Sequence, residues 1–471
     1  MTPPSRTDHL GPRERAERGL AARVTLPPGE QGDLVIRGDR PDPVSVLEEQ
    51  ALTRVPELVP VRHGRMMVSP FTYFRGSAKG MAIDLGGAPT SGLEVQLCGD
   101  AHLSNFGAFA SPERRLVFDL NDFDETAPGP WEWDVKRLAA SIVVAGRGNG
   151  FSTVETRESV LATLRSYRDA MAGFATMRTL DVWYARSEIK AVKKLVRKEL
   201  SKKRRRDLDK AVTKARGSDS LKVFTKLTEV VDGHVRIKGD PPLLSRLEDL
   251  IPDQARESLE TQIRELLGGY RGTLATERRA LFDRFEFVDM ARKVVGVGSV
   301  GTRCWIVLLR GRDEGDPLFL QVKEAEASVL TGQVPSGMRH PDAPGNQGER
   351  VVAGQRLMQA SSDIFLGWQH VVGFDGRERD FYVRQLRDMK ASFVVERMNP
   401  HEMRIYGRLC GWVLARAHAR SGDPIALAAY LGDDDVFPKA VARHAELYAD
   451  QTERDHAALL EAIRVGRLTS A

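Results

Sequence analysis

Cysteine is scarce in this chain of 471 residues. The three cysteines, Cys98, Cys304 and Cys410, lie far apart, and no C-x-x-C pair occurs. A disulfide framework or a thiolate zinc site needs several closely spaced cysteines, so both are excluded as the organising feature of the fold. We therefore expect a protein that folds around a hydrophobic core in a reducing compartment.

Long apolar runs are also missing. The longest, near residues 138–146, is much shorter than the roughly 20 apolar residues that a membrane-spanning helix needs. The first twenty residues are polar and charged, without the apolar segment of a secretion signal. We expect a cytoplasmic protein without a membrane span. Residues 1–43, rich in Pro, Gly, Arg and Asp, are predicted to form a flexible N-terminal tail.

A large excess of charge of one sign is absent, since the formal net charge is only +5. The basic residues concentrate at 190–206, a segment with ten Lys or Arg residues and one Glu. Apolar residues at 189, 192, 196 and 200 follow a helical spacing in the same segment. This pattern predicts a solvated amphipathic helix. Binding of nucleic acid or anionic lipid by this helix stays open as the less favoured alternative.

What the chain does contain is ample material for a core, with 41% hydrophobic and 29% charged residues. A mixed N-terminal part is followed by a mainly helical stretch over 155–280. The segment 284–395 is rich in β-branched residues and glycine, and we expect a small antiparallel sheet there, with one helix at 347–360. The remainder is helical again. This order predicts an α+β fold.

Polar side chains cluster after two predicted strands in the first part of the chain. Asp100 ends the strand-like LEVQLCGD, and Asn105 follows in the next loop. The next strand, RRLVFDLNDFDE, contains Asp119, Asp122 and Asp124. Carboxylate and amide oxygens suit Mg²⁺, so we take Asn105, Asp122 and Asp124 as candidate metal ligands, with Asp119 as an alternative. The competing interpretation is that these residues only cap turns.

Both segments resemble a known catalytic pattern. CGDAHLSN is similar to the catalytic loop H-G-D-x-H-x-x-N of aminoglycoside-phosphotransferase and choline-kinase-like enzymes. NDFDETAPGPWEWD resembles the metal-binding segment that follows it there. The resemblance implies that Asp100 is the catalytic base, that Asn105 and Asp122 hold Mg²⁺, and that Asp134 braces the loop. Cys98 stands where the family usually has histidine, which weakens the match.

A second cluster contains a glycine-rich segment, VVGVGSVGTRC. Gly296, Gly298 and Gly301 have G-x-G-x-x-G spacing, with Ser299 between them. A dinucleotide fold requires a helix directly after such glycines, whereas a β-like run follows here. We therefore expect a kinase-type hairpin whose backbone amides approach the phosphates of a nucleotide.

A lysine on the following strand completes the predicted nucleotide site. Lys323 in LFLQVKEA is placed like the kinase third-strand lysine and is predicted to contact phosphate and to act in catalysis. Glu349 in the next helix is a candidate ion-pair partner and cofactor-binding residue, although Gln355 and Gln359 of that helix are alternatives. A solvated lysine at a strand end is the competing interpretation.

The order of these parts is reversed relative to ordinary kinases, in which the glycine-rich lobe comes first. Residues 404–423, RIYGRLCGWVLARAHARSGD, resemble the helix that normally precedes the catalytic loop. A circular permutation of a kinase-like fold explains this order, because compact domains tolerate permutation. The alternative is two unrelated domains whose motifs match by chance.

The chain also resembles the bacterial domain-of-unknown-function 2252 family over residues 65 to about 368. The matching segments are RMMVSPFTYFRG, CGDAHLSNFG, FDLNDFDETAPGPWEWDVKRLAAS, VGVGSVGTRC and VVAGQRLMQASSDIFLGW. This resemblance implies a fold relationship to kinases but no substrate.

Together these patterns predict a two-lobed, permuted, protein-kinase-like fold. Its predicted parts after the tail are a catalytic-loop and metal-binding region at 44–175, a helical insert at 176–283, a small β lobe at 284–395 and C-terminal helices at 396–471. The predicted activity is ATP- and Mg²⁺-dependent phosphoryl transfer to an unknown small-molecule or protein hydroxyl. Nucleotidyl transfer on the same fold, non-catalytic nucleotide sensing and metal-dependent hydrolysis remain alternatives.

Overall fold

The computed structural model describes residues 10–471 apart from 198, 200–201, 218–219, 251–255, 336–344, 374–375, 387–388 and 392. Helices of the first half of the chain are α1 (Pro12–Thr25), α2 (Pro43–Ala51), α3 (Val59–Met66), α4 (Pro70–Gly76), α5 (Ala78–Gly86), α6 (Trp131–Gly148), α7 (Thr153–Ala175), α8 (Thr179–Tyr184), α9 (Ile189–Val196), α10 (Lys202–Arg216) and α11 (Ser220–Leu227). Those of the second half are α12 (Arg256–Gly272), α13 (Thr276–Phe282), α14 (Gln347–Met358), α15 (Pro400–Ser421), α16 (Pro424–Leu431) and α17 (Val436–Arg464).

The strands are β1 (Glu94–Leu97), β2 (Phe106–Ala110), β3 (Leu116–Leu120), β4 (Ala127–Pro130), β5 (Thr228–Val231), β6 (His234–Ile237), β7 (Leu244–Arg246), β8 (Glu286–Lys293), β9 (Cys304–Arg310), β10 (Pro317–Ala325), β11 (Gly367–Val372) and β12 (Glu378–Gln385). Three two-stranded sheets pair β1 with β4, β2 with β3 and β5 with β6. With the helices, these strands make an α+β protein, as the sequence predicted.

The largest sheet has six antiparallel strands in the order β11-β12-β10-β9-β8-β7. Side chains of a strand point alternately to its two faces. In β9, Val307 and Leu309 enter one apolar cluster, whereas Ile306 and Leu308 enter another. The centre of the sheet is therefore covered by an apolar cluster on each face. The sheet contains the antiparallel strands predicted within 284–395, and it gains β7 from the segment predicted to be helical.

Helix α6 lies at the centre of the larger core, and nearly all of its residues are buried. It contacts α4, α7, α15, α17 and β1. Its first residue, Trp131, stacks on Tyr167 with ring centroids 5.8 Å apart, and its indole N–H donates to Ser91 Oγ at 3.0 Å. These contacts fix the start of α6, the end nearest to the polar residues of the candidate site.

The N-terminal segment differs from the prediction of a flexible tail. Residues 12–25 form α1, which packs against α16 from the other end of the chain. A Cβ at Gly19 would lie only 2.1 Å from the Ala426 carbonyl oxygen, so glycine permits this close approach. Residues 1–9 lie outside the described residues.

The predicted helical insert at 176–283 also differs from the prediction, since it contains strands β5, β6 and β7 as well as helices. Its basic segment forms two helices, α9 and α10, in place of the single predicted helix. The apolar side of α9 is used for packing: Val192 and Val196 contact Ile405 of α15. Leu200 lies outside the described residues.

Helices α7 and α15 make the most extensive helix pair of the fold, and glycine on α15 allows it. A Cβ at Gly411 would lie 2.4 Å from the Thr163 carbonyl oxygen. Backbone atoms cannot move aside cheaply, so any larger side chain must separate the helices.

We expect Gly411→Ala to lower the free energy of unfolding by roughly 1–3 kcal/mol through overpacking. The matched control is Gly173→Ala on α7, where nothing lies within 4 Å of the added carbon. At that position alanine has a higher helix propensity than glycine, so the free energy of unfolding should rise by roughly 0.5–1 kcal/mol. Differential scanning calorimetry of both variants tests this, and equal melting temperatures would contradict the close contact.

Candidate active site

The loop after β1 is held by a carboxylate on α6. Asp134 accepts hydrogen bonds from the backbone N–H groups of Cys98 at 2.6 Å and Gly99 at 2.9 Å. Gly99 has φ +81°, and a Cβ there would lie 2.2 Å from the Glu125 carbonyl oxygen. Glycine is therefore required at this turn. The predicted role of Asp134 as a brace of the loop is confirmed.

Asp100 is half-buried at the end of this loop, beside a buried cation. Arg137 of α6 donates to Asp100 Oδ1 at 2.5 Å, and His102 Nε2 lies 3.6 Å from Oδ2. Burial raises the pKa of the Asp100 carboxyl above its usual value, although Arg137 opposes the rise. The side-chain amide nitrogen of Asn105 donates a hydrogen bond to the Asp100 carbonyl oxygen at 2.8 Å. Its side-chain oxygen is then the atom that could bind a metal ion.

Asp124 and Lys323 form an ion pair between the first part of the chain and the six-stranded sheet. The Lys323 ammonium donates to Asp124 Oδ2 at 2.5 Å. Tyr382 donates to Oδ1 at 2.5 Å and Ser299 to Oδ2 at 3.2 Å, so both oxygens of Asp124 are engaged. Burial alone would raise the pKa of Asp124, but the Lys323 charge and these donors lower it.

Asp122 differs from its neighbour because one of its oxygens is buried without a hydrogen-bond partner among the described residues. That atom, Oδ1, lies 3.8 Å from the Lys323 nitrogen. Burial and then the charge of Asp124 raise the pKa of Asp122. Asp119 is turned away and bonded to Arg416 at 2.5 Å. Of the three aspartates, Asp122 thus has the oxygen best suited to a metal ion, and Asp124 serves as the partner of Lys323.

The glycine-rich segment forms the connection between β8 and β9, as predicted. Gly296 and Gly301 have φ values of +67° and +92°, a region that favours glycine. Gly296, Gly298 and Ser299 line a polar cavity together with Asp100, Asn105, Asp122 and Asp124. The structure therefore brings two clusters that are remote in sequence to one cavity, with Lys323 buried behind Asp124.

Glu349 is not brought to Lys323. The ion-pair partners of Lys323 are Asp122 and Asp124, and Glu349 lies in the first turn of α14, where its backbone N–H donates to Asn346 Oδ1. The predicted Lys323–Glu349 pair is wrong for this reason. The alternatives Gln355 and Gln359 bond to each other.

Arg350, the next residue of α14, has a structural role that the sequence did not reveal. Arg350 donates to the backbone carbonyl oxygens of Asp124, Thr126 and Glu326. It thus ties the segment after β3 to the chain beyond β10. The only sequence signal for Arg350 is its position beside Glu349.

Helix α15 packs against the other side of the catalytic loop. Its Tyr406 hydroxyl lies 2.9 Å from the carbonyl oxygens of both Leu103 and Phe106, which share its single hydrogen. His418, fully buried, lies 3.3 Å from Asp134 and 2.8 Å from the Tyr167 hydroxyl. His418 thus braces α15 against α6 and α7, and residues 404–423 lie beside the loop after β1, as the resemblance implied.

Clusters of three or more His, Cys, Asp or Glu side chains with metal-binding geometry do not occur within the described residues. In the same part of the chain, none of the helices combines the length and apolarity that crossing a bilayer requires.

We expect Asp134→Asn to destabilise the protein by roughly 1–3 kcal/mol, because the new amide NH₂ group must face one of two backbone N–H donors. The control is Asp169→Asn, an exposed aspartate paired with Arg168, whose loss should change stability by less than about 0.5 kcal/mol. Urea unfolding measures both, and equal effects would show that Asp134 does not brace the loop.

Comparison with known families gives one match. The model of a family described as an uncharacterized protein conserved in bacteria (DUF2252) matches residues 54–462. The match includes the catalytic-loop segment, the metal-binding segment and the glycine-rich connection. No curated protein and no solved structure matches the chain. The chain belongs to the DUF2252 family of bacterial proteins.

Proposed function

We propose that this protein is an ATP- and Mg²⁺-dependent phosphotransferase with a kinase-like arrangement of its site. The observation that carries the proposal is the contact of buried Lys323 with Asp122 and Asp124, two aspartates that line one cavity. The same cavity is lined by Asp100, Asn105 and the glycine-rich connection. Phosphoryl transfer depends mainly on positioning and charge stabilisation, and these residue types supply both.

The residues present fit a magnesium ion. Asp122 has a buried oxygen without a hydrogen-bond donor, and Asn105 offers an amide oxygen in the same cavity. Mg²⁺ is commonly held by one or two protein carboxylates, with substrate phosphates and water completing its shell. When bound, it would neutralise charge on the phosphate oxygens.

The protein groups have separate roles in this proposal. Asp100, whose pKa is raised by burial, accepts the proton of the acceptor hydroxyl. Arg137 keeps its carboxylate oriented. The backbone of the glycine-rich connection approaches the nucleotide phosphates. Lys323 holds Asp124, and it exchanges part of this contact for phosphate when nucleotide is bound.

A permuted kinase-like fold is part of the proposal. The sheet with its glycine-rich connection, its lysine strand β10 and the adjoining helix α14 corresponds to the small lobe. The packing of α15 on the catalytic loop supports this correspondence, because that helix comes after the loop in the chain and lies beside it in space. In this proposal, the cytoplasm is the site of action, and the acceptor is a hydroxyl of unknown identity.

We expect Asp100→Asn to lower turnover of ATP by roughly 10²–10⁴-fold, because the proton acceptor is lost while the phosphate contacts remain. Turnover is measured as the release of ADP. Nucleotide binding is measured by calorimetry and should persist in the variant. Products also separate the alternatives, since nucleotidyl transfer releases pyrophosphate and phosphoryl transfer releases ADP. Wild-type turnover by the Asp100 variant would remove this residue from the mechanism.

Asp122→Asn should weaken Mg²⁺-dependent ATP binding by roughly tenfold or more, because one carboxylate of a sparsely liganded ion is lost. Binding measured without Mg²⁺ should change much less. Asp169→Asn again serves as the exposed control. If calorimetry gives the same magnesium dependence for wild type and variant, Asp122 is not the metal ligand.

A further inference from the structure

Two arginines are buried near the glycine-rich connection without a carboxylate partner. Arg54 precedes α3 and is 8% exposed, and Arg62 within α3 is 0% exposed. Neither forms an ion pair with any Asp or Glu of the described residues, whereas the buried Arg137 and Arg416 pair with Asp100 and Asp119. Buried charges are normally paired, because the loss of hydration is otherwise uncompensated.

The hydrogen-bonding capacity of both guanidinium groups is only partly used. Arg62 Nη2 donates to Gly76 O and to Gln50 Oε1, both at 2.9 Å. Its Nε and Nη1 atoms are buried and have no partner among the described residues. Arg54 donates from Nη1 to the Val300 carbonyl oxygen, and its Nε atom is likewise without a partner.

The two charges also act on each other. Burial, and then the nearby positive charge of Arg54, lower the pKa of Arg62 well below its ordinary value. Arg54 is shifted in the same direction by burial. Two neighbouring buried cations without an ion-pair partner among the described residues are a costly arrangement, and an anion bound between them would lower that cost.

Both arginines line the polar cavity that contains Asp100 and Asp122. Arg75 lines it too. Its Nε atom is buried and has no partner in the described part of the chain, and its nearest carboxylate, on Glu396, is 3.8 Å from Nη1. Three arginines that each have an unused N–H group in the described structure thus line one cavity.

We propose that Arg54 and Arg62 form an anion subsite, with Arg75 at its edge, that binds a phosphate group of a ligand in this cavity. The planar guanidinium fork matches phosphate oxygens in geometry and charge. The subsite does not depend on phosphoryl transfer. Only the identification of its ligand with a substrate rests on the proposed function.

The phosphate has two possible sources. Arg54 is bonded to the glycine-rich connection through Val300 O, and the adjacent Val55 N–H donates to Gly301 O at 2.8 Å. This proximity allows a nucleotide phosphate to reach the subsite. A phosphorylated acceptor would present the same group from the Asp100 side of the cavity.

Gln50→Glu tests the subsite with minimal change of shape, since Gln50 already accepts a hydrogen bond from Arg62. The new carboxylate supplies an internal anion. We expect the variant to melt at a higher temperature than wild type in the absence of ligand. We also expect it to bind inorganic pyrophosphate, without Mg²⁺ or nucleotide, roughly tenfold or more weakly than wild type.

Two further variants complete the test. Arg62→Met removes the cation and should weaken pyrophosphate binding similarly. Glu49→Gln alters the adjacent exposed residue, which pairs with Lys79 at 2.8 Å, and should leave the affinity at the wild-type value. Calorimetry and thermal shift with pyrophosphate measure all of them, so the result does not depend on one variant folding.

The outcomes separate the possibilities. Absence of pyrophosphate binding by wild type, or wild-type affinity in both Gln50→Glu and Arg62→Met, overturns the subsite. If Mg²⁺·ATP binding falls in parallel with pyrophosphate binding, the subsite holds a nucleotide phosphate. If ATP binding is kept while pyrophosphate binding falls, it holds an acceptor phosphate. Pyrophosphate binding without any ATP turnover would retain the subsite and reject the proposed function.

Discussion

The Lys323 ammonium joins two segments that are 199 positions apart in the chain, and the candidate site exists only because they meet. Lys323 lies on a central strand of the six-stranded sheet, and its partners Asp122 and Asp124 follow a strand on the opposite wall. Lys323 is buried and the two aspartates are partly buried, so separating the lysine from both carboxylates would leave a buried charge without a partner, which is costly. Tyr382, on the strand beside Lys323, shares Asp124 and fixes the direction of the contact.

Much of this site could be predicted from the sequence, because short patterns determine it. The strands before the site residues are recognisable from their local alternation and from the turn residues that end them. The sequence therefore predicts that Asp100, Asn105 and Asp122 lie in the loops that follow the strands. Lys323 was predictable for the same reason, since its strand has a clear apolar pattern. The sequence pattern could not show which of the three aspartates has an oxygen without a hydrogen bond. That depends on the donors that surround Asp124 and Asp119 in the folded protein.

The remaining features depend on packing between distant segments. Arg54 and Arg62 were missed because an arginine in a helical sequence is expected to be solvated, and its burial becomes visible only when the glycine-rich connection lies beside it. Helical periodicity places 347–360 correctly but does not fix its rotation. Neighbouring residues are about 100° apart around a helix, so Glu349 was chosen where Arg350 makes the connecting bonds. Similarly, α1 is stabilised by a partner some four hundred residues away.

Two of the three thiols of the chain lie near the Lys323–Asp124 contact: Cys98 lines the cavity, and Cys304 lies on β9 beside Lys323. Cys98 donates its thiol hydrogen to the Asp122 carbonyl oxygen, and Cys304 lies on the sheet beside Gln321, opposite Lys323 in the strand register. Both are fully buried, and burial raises the pKa of each thiol, so the reactive thiolate is scarce in the closed protein. An alkylating reagent can reach these buried thiols only when the packing around them opens. The rate at which these two cysteines are alkylated therefore measures how often the structure around them opens. No label has to be attached to the chain beforehand.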